Sequence, residues 1–94
     1  MTFLSDIEAP ILSCPSNQSK STAFRKPTAV VFWAEPNASD NSGQRPYVWC
    51  SMDSGSQFAI GKTEVICQAR GVFGNRAVCT FTVEVKGKYV VNVD

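Results

Sequence analysis

Four cysteines in a chain of 94 residues, Cys14, Cys50, Cys67 and Cys79, constrain this fold more than any other feature. None of them forms a Cys-x-x-Cys pair, and the chain has no histidine, so a mixed Cys/His zinc site is impossible. An all-cysteine zinc site stays formally open, but such sites gather two tight cysteine pairs and these spacings do not. An even set of dispersed cysteines in a small chain reads as a disulfide framework, which places the chain in an oxidising compartment. A domain of this length buries only about two-thirds of its unfolded surface, so such staples matter to its stability. Four cysteines permit three pairings, and spacing does not choose among them. Cys67 and Cys79 would even face each other across a hairpin whose turn centres near residue 73.

That hairpin is the clearest secondary-structure signal. Cys79, Phe81, Val83 and Val85 alternate with Thr80, Thr82, Glu84 and Lys86, the period of a strand with one face on a core and one in water. Residues 63–69 alternate in the same way, with Val65, Cys67 and Ala69 on one face. Between them, Gly71, Gly74 and Asn75 can supply the positive φ angles that tight connections need. Upstream, residues 29–34 (AVVFWA) are apolar throughout, as in a strand covered on both faces or one at a sandwich edge, and Pro36 is read as its end.

The remaining segments are short strands set between turns. Residues 37–43 (NASDNSG) are turn chemistry and read as a loop. Tyr47 to Cys50 is a short strand, residues 53–56 a turn before the segment 58–61, and Ile11 to Ser13 a proline-flanked edge strand. No run has helical periodicity. The chain is therefore read as all-β, a disulfide-stapled antiparallel sandwich of about seven strands like the immunoglobulin and fibronectin-III folds. Residues 1–86 form the single domain, and residues 87–94 extend the last strand or begin a linker to a following module.

The class of function is bounded mostly by exclusion. A net charge of +1 with nine dispersed basic residues lacks the footprint of a nucleic-acid binder or an anionic-membrane binder. No apolar stretch approaches the ~20 residues of a membrane helix, and the first residues carry no signal peptide, which reads as a module taken from a longer chain. Without histidine or a Gly-x-Ser-x-Gly setting, catalysis would fall to carboxylates such as Asp6, Glu8, Asp40 and Asp53 in a chain too small for their cleft, so we expect no enzyme and no cofactor. Asn17 and Asn37 open N-glycosylation sequons, or else lie in two polar turns. Tyr47 and Trp49 alternate with Val48 and Cys50, and either point outward as contact residues or cover the second face of a sheet. Asp40 and Asn41 with Asp6 or Glu8 offer oxygen ligands for calcium between modules, against ordinary Asx turns as the alternative.

One family brings these features into a single order. Residues 6–10 (DIEAP), Cys14-Pro15, residues 31–36 (VFWAEP), residues 38–43 (ASDNSG), Cys50-Ser51, residues 54–63 (SGSQFAIGKT), residues 65–69 (VICQA) and residues 74–83 (GNRAVCTFTV) follow one another as they do in the hyalin repeat, or HYR, module. The chain resembles that module nearly end to end. Two positions depart from it. Arg70 stands where the family usually has an aspartate, so any role of that carboxylate is lost, and Ala59 stands where a proline is common, which implies a less rigid turn.

The resemblance implies an immunoglobulin-like extracellular domain, with Cys14 paired to Cys79 and Cys50 to Cys67. It also implies adhesion or protein interaction as a module of a larger mosaic protein. The partners expected are other extracellular or cell-surface proteins and neighbouring modules of the same chain, with no nucleic acid and no membrane insertion. A structural spacer that binds nothing remains a rival, because sequence features do not separate it from a binder.

Overall fold

The computed structural model describes residues 9–40 and 43–88, and its regular structure is all strand. In chain order the elements are β1 (Ile11–Ser13), β2 (Gln18–Phe24), β3 (Thr28–Val31), β4 (Asn37–Ser39), β5 (Tyr47–Cys50), β6 (Ser56–Ala59), β7 (Gly61–Arg70) and β8 (Arg76–Lys88). They assemble into a four-stranded sheet in the order β2-β8-β7-β5, a β3-β6 pair and a β1-β4 pair. Pairing is antiparallel except between β2 and β8, which run parallel.

The core forms where the four-stranded sheet faces the β3-β6 pair. Val65 and Cys67 of β7 and Phe81, Val83 and Val85 of β8 meet Ala29 and Val31 of β3 and Phe58 of β6, all buried. The period-two pattern explains this directly, because alternate residues of a strand point to the same face. On β7 the intervening Glu64 and Ile66 are exposed, so the pattern read from the sequence is the pattern buried. Trp33 closes one side of the core, its ring 5.1 Å from Phe81 in an edge contact and 5.8 Å from Phe58.

The β7-β8 hairpin pairs Gly61 with Val85 at one end and Arg70 with Arg76 at the other. Its turn is closed by the Gly71 N–H donating to the Asn75 carbonyl at 2.8 Å and by the Gly74 N–H donating to the Gly71 carbonyl at 3.0 Å. Of the residues expected to need positive φ, Gly74 alone takes it, at 87°. Gly71 is required for space instead. A Cβ there would lie 2.6 Å from Asn75 Oδ1 and 2.7 Å from Asp40 Oδ2, two oxygens shielded from solvent. Gly71→Ala is therefore expected to destabilise the domain by about 1–3 kcal/mol in urea melts, because the added methyl must displace both buried oxygens. A loss under a few tenths of a kcal/mol would show that the Asp40 loop yields freely.

Several local readings differ from the structure, and one strand, β2, was not read at all. The apolar run 29–34 is a strand only to Val31, and of its two readings the sandwich-edge one holds, since β3 pairs with β6 alone and Val30 and Phe32 are exposed. Pro36 does not end it. The β6 partner ends at Ser56, opposite Val31, and beyond that point the Ser54 hydroxyl takes over the backbone of Trp33. Ser54 Oγ accepts from the Trp33 N–H at 2.7 Å and donates to the Trp33 carbonyl at 3.0 Å.

Residues 37–39, read as loop, form β4, because Ile11 to Ser13 lie alongside and supply partners for their backbone groups. Turn geometry begins at Asp40, whose carbonyl accepts from the Gly43 N–H. β2 is a strand that its composition conceals. Gln18 to Phe24 is mostly polar because it is the sheet's outer strand, with Thr22 its one buried residue and β8 its partner. Ala59, where a proline was common in the resembled family, lies within β6 opposite Thr28, in a ladder and not in a turn.

Candidate functional site

The two disulfides fix the geometry from which any interaction face must be built. Cys50 and Cys67 are direct cross-strand partners on β5 and β7, joined by a disulfide with Cα atoms 3.9 Å apart. Cys14 is bonded to Cys79 with Cα atoms 5.9 Å apart, tying the segment after β1 to β8 across 65 residues of sequence. Cys67 also stands directly opposite Cys79 on β8, so three cysteines share one row across the sheet. The hairpin geometry that made Cys67 to Cys79 conceivable is present, and both sulfurs are bonded elsewhere.

Because Cys67 is fully buried on the core side, its partner Cys50 also faces inward, and alternation sends Tyr47 and Trp49 to the opposite face. Tyr47 is 69% exposed and Trp49 is half-buried, their ring centroids 5.2 Å apart and their planes tilted by 31°. A tilted aromatic pair at this separation is held by its own ring contact as well as by the strand beneath it. Ile66 and Val78 lie on the same outer face, both exposed, since their register partners Thr80 and Gln68 share it.

β5 is also the last strand of its sheet among the described residues. The Ser51 N–H donates to the Ile66 carbonyl at 2.8 Å, which makes that pair a hydrogen-bonded one. By the alternation of antiparallel ladders the backbone groups of Val48 and Cys50 then point away from β7. Two shallow grooves border that open edge, of about 380 and 320 Å³, and both are lined by Glu35, Pro36, Tyr47 and Val48. The edge is short and begins after the buried Pro46, features that limit indiscriminate strand pairing.

The other candidates are placed separately. Asn17 is exposed and its Oδ1 accepts from the Thr82 N–H at 2.8 Å, pinning the start of β2 to β8, while Asn37 is exposed at the start of β4. Asp40 sits beside the hairpin turn and Asp53 is exposed in the turn before β6, where its carbonyl accepts from the Ser56 N–H. Asp6, Glu8 and Asn41 lie outside the described residues. Among the described residues no group of three Cys, Asp or Glu side chains is arranged to hold a metal ion, and no helix is long and apolar enough to cross a membrane. Sequence reasoning missed the open edge of β5, since only the sheet order reveals which strand is outermost.

A two-layer sandwich with a tied first segment, a tied edge strand and an aromatic outer face defines an immunoglobulin-like, disulfide-stapled type of module. The chain belongs to the HYR domain family, whose profile matches residues 5–85. It is 35% identical over 82 residues to the Sushi, von Willebrand factor type A, EGF and pentraxin domain-containing protein 1 of Rattus norvegicus, a match covering 85% of this chain and 2% of that protein. It is 36% identical over 81 residues to Hyalin of Strongylocentrotus purpuratus and 33% identical to Hyalin of Lytechinus variegatus, matches covering 85% of this chain and 7% and 15% of those proteins. The chain thus spans a small fraction of the length of these relatives.

Proposed function

We propose that this HYR domain is a non-catalytic, extracellular adhesion or protein-interaction module of a larger mosaic protein, and that the outer face of β5 makes its contact. The observation that carries this reading is the Tyr47–Trp49 pair, exposed beside an open sheet edge. Exposed aromatic anchors of this type dominate the energetics of protein interfaces, and an open edge offers backbone partners to an extended segment. The disulfides and the exposed sequon residues Asn17 and Asn37 support the same compartment.

Cells seeded on a surface coated with the full chain are expected to adhere above an albumin background. Tyr47→Ser combined with Trp49→Ser is expected to return adhesion to that background while the cooperative melt is retained. Wild-type adhesion no greater than albumin would sink the binding reading, and a variant that adheres like wild type would move the contact off β5. A spacer is the second reading, favoured because the chain enters and leaves the sandwich at opposite ends. β1 begins beside the β7-β8 turn, whereas β8 ends beside the β2-β3 turn.

A further inference from the structure

The open edge of β5 carries a charge pattern of its own. Val48 and Cys50 turn their backbone N–H and C=O groups away from β7, and among the described residues no other backbone group bonds to them. Such a row of free ladder groups is a template for one more strand. The larger groove, of about 380 Å³, borders these groups, and its charged side chains are Glu35 and Asp53, both carboxylates and both exposed. Trp33 and Met52, which pack against the core, line the same groove, so it reaches round the edge to the inward side of β5. The smaller groove sets Arg45 against the shared Glu35, so the negative charge gathers toward the Cys50 end of the strand.

An antiparallel partner uses all the free groups, because the residues level with Val48 and Cys50 each exchange both backbone bonds. Directly opposed residues share a face of the sheet, so those two partner residues turn their side chains inward with Val48 and Cys50, into the groove that holds the carboxylates. The partner residue between them, level with Trp49, faces outward beside the aromatic pair. A long cationic side chain suits the inward positions, its aliphatic stem lying on Trp33 and Met52 and its head at Glu35 or Asp53. A second copy's β5 is a poor occupant, since joining two such edges brings the carboxylates of both grooves together.

We propose that the β5 edge takes up an extended basic segment of a partner protein, with lysine or arginine at alternate positions and an apolar residue between them. The segment adds to the four-stranded sheet as an antiparallel fifth strand. This rests on reading β5 as the contact face and supplies the chemistry of what that face contacts. Main-chain bonds hold the segment to the edge, and the alternate side chains select it by charge. The Cys50–Cys67 disulfide ties the edge strand to β7, so the template is in place before the partner arrives. With only Val48 and Cys50 offering free groups, the contact is weak and loses strength as salt screens the carboxylates.

The test titrates the full chain with the peptide acetyl-VKVKV-amide and follows tryptophan emission, because both tryptophans, Trp33 and Trp49, line the groove. A saturable change is expected at low salt, and acetyl-VEVEV-amide is expected to produce none. Glu35→Gln combined with Asp53→Asn weakens binding of the basic peptide about tenfold. The melt is retained in that variant, since both side chains are exposed and the turn bond at Asp53 is made by its carbonyl. N-methylation of the two lysine amides, which face Val48 and Cys50, abolishes binding, whereas N-methylation of the central valine amide, which faces away, leaves it. Equal binding of the acidic peptide, indifference to methylation of the lysine amides, or no binding of the basic peptide overturns the added basic strand. In the last case, cells that still adhere through Tyr47 and Trp49 leave β5 standing as the contact face, so the two readings fail separately.

Discussion

Phe81→Ala is expected to lower the unfolding free energy by about 3–5 kcal/mol, the usual range for removing a buried phenylalanine. Phe81 is 3% exposed at the centre of β8 and is the largest side chain of the core contributed by the four-stranded sheet. It also supplies the edge contact that fixes Trp33, so its loss removes partners from both sheets at once. The neighbouring disulfide from Cys79 limits how far β8 can move inward to fill the void, which puts the cost toward the upper part of that range. Against a total stability of about 5–15 kcal/mol, the variant is marginal at 37 °C. Urea melts followed by tryptophan fluorescence read both consequences, since Trp33 gains solvent as it loses the ring. Phe81→Leu should recover most of the loss. A cost for alanine below about 1.5 kcal/mol, with Trp33 emission unchanged, would mean that the sandwich collapses readily around the site.

How much of this could be read from the sequence depends on where each residue's partners come from. The run from Cys79 to Val85 was legible because burial on one face imposes its period on the residues of a single strand. β2 was not legible, because Gln18 to Phe24 gains its strand identity from hydrogen bonding to β8, more than fifty residues away, and buries only Thr22. Residues 37–39 failed for the same reason, since turn-forming side chains were outweighed by a partner strand arriving from the N-terminus. The aromatic face was half legible. Alternation gave Tyr47 and Trp49 a common side, but that side was fixed as outer only by Cys50 standing opposite the buried Cys67.

Removing the Cys14–Cys79 bond by the double substitution Cys14→Ala and Cys79→Ala is expected to cost about 4 kcal/mol, and removing Cys50–Cys67 in the same way about 3 kcal/mol, on the chain-entropy treatment of loops. The order follows from sequence separations of 65 and 17 residues. Native-state connectivity points the same way. Cys50 and Cys67 sit on strands already paired by a ladder, whereas β1 is three residues long and hydrogen-bonds to β4, outside the main sheet. For a domain of this size the first loss corresponds to a fall in melting temperature on the order of 20 °C. Double substitutions are needed, because Cys14→Ala alone leaves a Cys79 thiol on the same row as the Cys50–Cys67 disulfide, where it can attack Cys67 and exchange partners. Alanine is preferred to serine because Cys67 is fully buried and a hydroxyl there would lack water. Paired thermal melts of the two double variants decide the matter. If the Cys50–Cys67 variant melts lower, the ladder between β5 and β7 is held by its disulfide and not the reverse, and the open edge proposed as the contact face owes its order to that single bond.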